Sequence, residues 1–276
     1  MRARLAFTAV VAAVLFSAIT AVVVGGARGG APDVPRTLAR DVLLPDLLQE
    51  PPSGVEVSRA GSATRPQWRL GFDSAVSNVG AGALRIAASR ASRSARLMSA
   101  DQLIDRAGGR PQRIASVGRL RYVRSPDHQH WHLLGFERYE LRHERDFSLR
   151  VRDRKTGFCL GDRYEVRRRL EAKPPAPAWK DRCGLSQPQL VELEQGISVG
   201  YGDDYPANLE GQWLPLSGLP AGRYVLVHRV NAEGLLREST RANNASSLLL
   251  SLRWRDRRPL VRVLERCPSF ERCPTS

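Results

Sequence analysis

Lysine is nearly missing from this chain. Lys155, Lys173 and Lys180 are the only three, although the formal net charge is +15 over 276 residues. The positive charge is therefore arginine. Such a balance suits an anionic neighbour, and an arginine-for-lysine bias in base composition accounts for it equally well. The arginines are scattered and no nucleic-acid-binding motif stands out, so specific nucleic-acid recognition is set aside. Of the anionic partners, an acidic cell-envelope polymer is retained. Persuasive 3.6-residue periodicity is absent, and without crossover helices a parallel α/β sheet is excluded. No internal repeat is present. The four cysteines include no C-x-x-C spacing, which argues against a cysteine-held metal. Histidine is rare too, with five residues in all.

What is present reads as strands. Trp68–Phe72 alternates, Ser77-Asn78-Val79-Gly80 signals a turn, and Ala83–Ala87 follows. Gln102–Ile104 and Gln112–Ile114 flank Ala107-Gly108-Gly109-Arg110 as a hairpin; a short helix over Ser99–Arg106, capped by Ser99, competes with it. Leu120–Val123, His130–Arg142, Phe147–Arg152, Arg223–Asn231 and Ser246–Trp254 are further strands, and the proline-rich Leu170–Lys180 is a loop. Many short strands with turns at this spacing predict an all-β fold, a β-sandwich core with long loops. A hydrophobic content of 42% supports a sizeable core.

The ends differ from the middle. Arg2 and Arg4 precede an uncharged, mostly apolar run from Leu5 to Val24, and Gly25-Gly26-Ala27 offers a cleavage site. Residues 1–31 read as a signal peptide or a signal anchor with its basic end in the cytoplasm. Either places the remainder in secretion or on the outer side of the cytoplasmic membrane. Residues 32–57, broken by Pro32, Pro35, Pro45, Pro51 and Pro52, read as a linker and N-terminal extension. The sandwich is expected over 58–256, and 257–276 reads as a basic tail. Export allows disulfides. Four cysteines permit three pairings; Cys159 with Cys183, and Cys267 with Cys273 as a small ring in the tail, is the expected one.

The chain centres on Asp127-His128-Gln129-His130-Trp131-His132, where three of the five histidines fall at a stride of two. Side chains at i, i+2 and i+4 of a strand share a face, and neutral imidazoles there suit copper, zinc, iron or nickel. Residues i and i+4 of a straight strand lie about 13 Å apart, while metal–nitrogen bonds are about 2.0–2.1 Å. The backbone must therefore bulge or coil within these five residues. His143 and His228, outside the motif, are read as structural or exposed.

Asp127–His132 with Phe136-Glu137-Arg138-Tyr139-Glu140-Leu141 resembles the copper motif of the lysyl oxidase family. The similarity continues through Lys155-Thr156-Gly157-Phe158-Cys159-Leu160 and Asp162, through Gln195-Gly196-Ile197-Ser198, and through Tyr205, seven residues before Gln212-Trp213. Pro220–Leu226, Glu238-Ser239 and Asn243-Asn244 extend it, as do Leu44-Pro45-Asp46-Leu47 and Asn78-Val79-Gly80 upstream. The resemblance implies copper on His128, His130 and His132. It also implies a lysine tyrosylquinone built by the chain from Lys155 and Tyr205. The implied activity is oxidation by O2 of a primary amine, such as a peptide or protein lysine, to an aldehyde with release of ammonia and hydrogen peroxide. Asp203 and Asp204, and Glu210 beyond, are candidates to attract a substrate ammonium, and one of them to act as base. Asp127, Gln129 and Glu137 are candidates to hold the outer ring nitrogens. Departures stand beside the likeness. Asp127 replaces a cysteine of the animal enzymes, Pro206 replaces the usual glycine, cysteines are fewer, and the stretch from Cys159 to Gln195 is longer. The competing class is a non-catalytic exported copper-binding or adhesion module on the same sandwich.

Overall fold

The structure is a computed structural model that describes residues 38–126, 128–153, 155 and 157–273. The apolar run from Leu5 to Val24 lies outside them. Among the described residues no helix is long and apolar enough to cross a membrane. In chain order the strands are β1 (Val42–Leu43), β2 (Leu47–Gln49), β3 (Ser53–Gly61), β4 (Pro66–Asn78), β5 (Leu84–Ser89) and β6 (Leu97–Arg106). Next come β7 (Gln112–Arg124), β8 (Gln129–Leu134), β9 (Glu137–His143), β10 (Leu149–Arg152), β11 (Gly157–Phe158) and β12 (Tyr164–Glu165). The last six are β13 (Glu192–Ile197), β14 (Tyr201–Tyr205), β15 (Trp213–Pro215), β16 (Gly222–Val230), β17 (Ala245–Arg255) and β18 (Arg258–Cys267).

The expected all-β class holds, and every pairing is antiparallel. One sheet runs β11-β8-β7-β6-β5-β13, with β1 against β6; a second runs β10-β9-β16-β17-β18. The third is built on β4, which carries β12-β14 and β15 along one edge and β2 and β3 along the other. All three bury side chains in one core: Ile86, Met98, Leu120 and Trp131 from the first, Tyr139, Leu226 and Leu250 from the second, Leu70, Phe72 and Val76 from the third.

Ser99–Arg106 is strand, not helix. Met98, Ala100, Gln102 and Ile104 alternate into the core, and β6 pairs with β7 as the predicted hairpin. The expected strand His130–Arg142 divides at Gly135-Phe136, sending β8 to the first sheet and β9 to the second.

Two segments read as peripheral carry strands. Within 32–57, β2 pairs with β4, and the Leu47 amide donates to Glu238 Oε2 at 3.0 Å. Prolines exclude helix from this stretch but are tolerated at strand edges. In the C-terminal stretch, β18 pairs along β17 through the turn Asp256-Arg257, both residues having positive φ (49° and 61°). Two left-handed residues make the turn that joins tight hairpins, here without the usual Asn or Gly.

Both expected disulfides are formed: Cys159–Cys183 with Cα atoms 5.7 Å apart, and Cys267–Cys273 at 5.3 Å. The first ties the strand edge at β11 to the loop whose Cys183 carbonyl accepts the Trp131 amide of β8 at 2.9 Å. Its ends are 24 positions apart, so the chain-entropy model assigns it about 3 kcal/mol. Replacing both Cys159 and Cys183 by Ser should lower the melting temperature by several degrees. An unchanged melting temperature would refute that stabilising role.

Candidate functional site

The three histidines meet because the strand begins one residue late. His128 precedes β8 in a turn closed by mutual backbone hydrogen bonds with Ser125, of 2.8 and 3.2 Å. His130 and His132 follow on one face of β8, in register with Val123 and Arg121 of β7. The coil option is the one used: β8 shows no register shift against β7. His128 Nδ1 lies 3.4 Å from His130 Nε2, which lies 2.8 Å from His132 Nε2. All three ligand atoms fall within 4.8 Å of one another. Nitrogens about 2.0–2.1 Å from a shared ion and separated by these two distances subtend roughly 85–110° at it, within the range of tetragonal and tetrahedral sites. Burial, reinforced by neighbouring cationic side chains, lowers the pKa of His130 to about 4 and of His132 to about 2. His130 and His132 are thus neutral, the form that ligates, and the three-imidazole donor set fits a borderline transition-metal ion such as copper.

Gly157, the first residue of β11, sits opposite Leu134 of β8. A Cβ there would come 2.8 Å from His132 Cβ and 3.0 Å from the Leu133 carbonyl, so only glycine lets the strands close. Lys155, two residues upstream, is thereby carried to the histidine strand. Its Nζ stands 4.1 Å from the centroid of the Tyr205 ring and 4.5 Å from that of Phe158, and donates to Gln212 Oε1 at 3.0 Å. Burial lowers its pKa to about 8, against the pull of Glu137, Asp203 and Asp153.

Tyr205 ends β14 and is 7% exposed. Its ring packs edge-on to Phe158 with centroids 4.9 Å apart. Its oxygen lies 2.8 Å from the Cys159 carbonyl and 2.5 Å from Asp203 Oδ2. One phenolic proton cannot serve both. Burial raises the Asp203 pKa to about 8 and pushes that of Tyr205 well above 10. A protonated Asp203 therefore donates to the phenol, and the phenol donates to the carbonyl. Arg163 Nε, 3.6 Å from Asp203 Oδ1, opposes this by favouring the carboxylate.

The comparisons with known proteins agree with this geometry. The family model described as lysyl oxidase matches residues 74–261. This chain belongs to the lysyl oxidase family. It is 27% identical to human lysyl oxidase homolog 1 over 118 residues, which is 42% of this chain and 18% of the human protein. It is 26% identical to rat protein-lysine 6-oxidase over 147 residues, 49% of this chain and 31% of the rat protein. The corresponding pig protein matches at 26% over 52% of its length. The chain thus spans about half or less of these curated relatives.

Within this lysyl oxidase family chain, strand alternation separates the paired acids. Asp203 is 1% exposed and shares the face of Tyr205, whereas Asp204 points to solvent on the opposite face. Asp204 is therefore not beside the tyrosine, and Glu210 is also exposed. Gln129 points away from His130, as strand neighbours do, and Asp127 lies outside the described residues. Glu137 accepts from the hydroxyls of Tyr139 and Ser74 through Oε2, while its buried Oε1 has no hydrogen-bond partner among the described residues. Burial raises its pKa to about 7. With Asp203 it forms a second buried acid within electrostatic reach of Lys155. Its only mark in the sequence is its place in the Phe136–Leu141 run, one alternate position before Tyr139. His228 is fully buried between Phe72 and Tyr139, with ring centroids 4.8 and 4.5 Å away, and burial lowers its pKa to about 3. It is a neutral core residue. His143 is half-buried on the rim of β9.

The raised pKa of Asp203 has a signed consequence. Between about pH 4 and pH 8 the folded chain keeps a proton that the unfolded chain has released, so this group lowers stability as pH rises through that window. Asparagine has no such dependence. The melting temperature of D203N relative to wild type should rise steadily from pH 4 to pH 8. A constant difference across the range would overturn the assignment.

Proposed function

We propose that this chain is a copper- and quinone-dependent amine oxidase. It converts a primary amine, the lysine ε-amine of a peptide or protein or a similar amine, by R–CH2–NH2 + O2 + H2O → R–CHO + NH3 + H2O2. The observation that carries the reading is a half-buried lysine whose amine lies 4.1 Å from the centroid of a buried tyrosine ring, on the strand edge beside three imidazoles. Copper on His128, His130 and His132 would, with O2, supply the oxidation that makes a lysine tyrosylquinone of Lys155 and Tyr205, whose carbonyl is the electrophile that amine oxidation needs.

The rest falls to the chain's own residues. Lys155 attacks a ring only as a free amine, and burial lowers its pKa to about 8, which raises the neutral fraction near neutral pH. Phe158 packs against the Tyr205 ring and holds its plane. Asp203 keeps a proton at the Tyr205 oxygen. In its ionised form, which Arg163 favours, it is the carboxylate nearest that ring and the preferred base for the proton on the substrate carbon next to nitrogen. Asp204, in solvent, is left only a role in drawing a substrate ammonium toward this face. Two disulfides suit an oxidising compartment, and we assign the activity to secreted protein, or protein anchored on the outer side of the membrane. The arginine-rich surface would favour residence on an anionic envelope polymer.

Replacing His130 by Ala should strip copper from the purified protein, measured by metal analysis; full retention would refute the triad. Lys155→Arg keeps the charge but stays protonated, and Tyr205→Phe removes the phenol. Both variants should keep copper and fold while losing the quinone absorbance and peroxide release from alkyl amines by at least about a hundredfold. If either oxidises amines as fast as wild type, the quinone reading is wrong; if copper-loaded wild type itself shows neither quinone absorbance nor peroxide release, the protein is a copper-binding module.

A further inference from the structure

We infer that Gln212 is the positioning residue that aims the Lys155 amine at the Tyr205 ring. The inference rests on the amine-oxidase reading and goes beyond it to the residue that sets the approach of the two side chains. β14 and β15 both lie along the same edge of β4, β14 at Ser74–Ser77 and β15 at Arg69–Gly71. The chain between them, residues 206–212, has no strand partner there and folds over the site instead. Two turns shorten it: the Leu209 amide donates to the Pro206 carbonyl at 3.0 Å, and the Gln212 amide to the Leu209 carbonyl at 3.1 Å. Asp73 of β4 anchors its start by accepting the Ala207 amide at 2.8 Å. At Gly211, φ is +80°, and a Cβ there would sit 3.5 Å from Lys155 Cβ. The backbone therefore passes directly over the lysine stem, and the next residue, fully buried, meets its amine at 3.0 Å. The seven-residue step from Tyr205 to Gln212 is the length of chain that returns from the ring to the amine.

The chemistry of the partner matters as much as its place. Among the described residues the amine also lies against the rings of Tyr205 and Phe158, which attract a cation without fixing its direction. An amide oxygen does fix it. Being neutral, it holds an ammonium or an amine alike, whereas a carboxylate there would keep the proton on the lysine. Among the described residues the buried Gln212 Nε2 makes no well-formed hydrogen bond, although the side chain lies near enough to the Tyr139 hydroxyl to favour its ionised form. Its oxygen is what meets the amine.

The test uses the full chain in two states. In metal-free protein, reductive methylation of Lys155 is followed by peptide mass mapping from pH 6 to pH 10, with Lys173 and Lys180 as internal references. Q212L should move the midpoint of Lys155 labelling to lower pH, because the ammonium loses its acceptor, and Q212E should move it to higher pH. Neither reference lysine should shift. After copper and air are supplied, the Lys155–Tyr205 cross-linked peptide should form roughly tenfold more slowly in Q212L, the size expected for one hydrogen bond to a charged group. In Q212E it should form with its rate displaced to higher pH. Unchanged labelling midpoints in both variants, or a wild-type cross-linking rate in Q212L, overturns the inference. Should Q212L fail to fold, Q212M and Q212E carry the same labelling test with the same criteria. If wild type itself forms no cross-link, the oxidase reading falls, while the labelling still decides whether Gln212 holds Lys155.

Discussion

Four residues, Gly157 to Leu160, are shared between sheets, and the site depends on that sharing. Gly157 and Phe158 pair with β8 of the first sheet. The Cys159 carbonyl accepts the Tyr205 hydroxyl at the end of β14 in the third sheet. The Leu160 amide donates to Gln195 Oε1 on β13. Backbone groups that would otherwise be orphaned in the interior are satisfied from different directions. The lysine just before this stretch, the tyrosine that bonds to it and the histidines on its partner strand are brought together as a result.

Holding a lysine amine in that interior sets the second constraint. Removing an ammonium from water is costly unless nearby groups answer it. Here the answer is distributed: two aromatic faces, one amide oxygen, and the buried acids Asp203 and Glu137 at longer range. Those acids are themselves pushed toward their protonated forms by burial. Lysine and acids thus compete for few protons in a dry space. Such an arrangement suits proton transfer at a reacting ring better than it suits stability.

The parts legible in the sequence were those whose spacing has a local cause. The histidine stride of two is visible because strand alternation makes it mean something, and so is the need to break the strand before His132. The Cys159–Cys183 and Cys267–Cys273 pairings are also right. Other parts hide where geometry is set by distant partners. β18 falls in the stretch read as a basic tail, and nothing local marks the hairpin turn that Asp256 and Arg257 make with positive φ. β2 looks like proline-broken linker until Glu238, 191 positions later, takes the Leu47 amide. Asp203 and Asp204 are indistinguishable in a string of letters, and the two-residue period of the strand puts one in the core and the other in water. Glu137 carries no signal of its own, since what matters is that it is dry.

The separation of the site's two halves along the chain bears on how the protein comes to be. The three histidines lie within five residues, so closing their loop costs little entropy, and a segment this short can gather a metal ion before the sheets are complete. Lys155 and Tyr205 have 49 residues between them and meet only when the first and third sheets have closed on one core. The long-range β pairings that join them are of the slow-forming kind. Gathering of the three histidines and alignment of the lysine with the tyrosine therefore belong to different stages of folding. Under the proposed copper site the metal could be bound early, whereas the ring and the amine are presented to each other only by a finished fold.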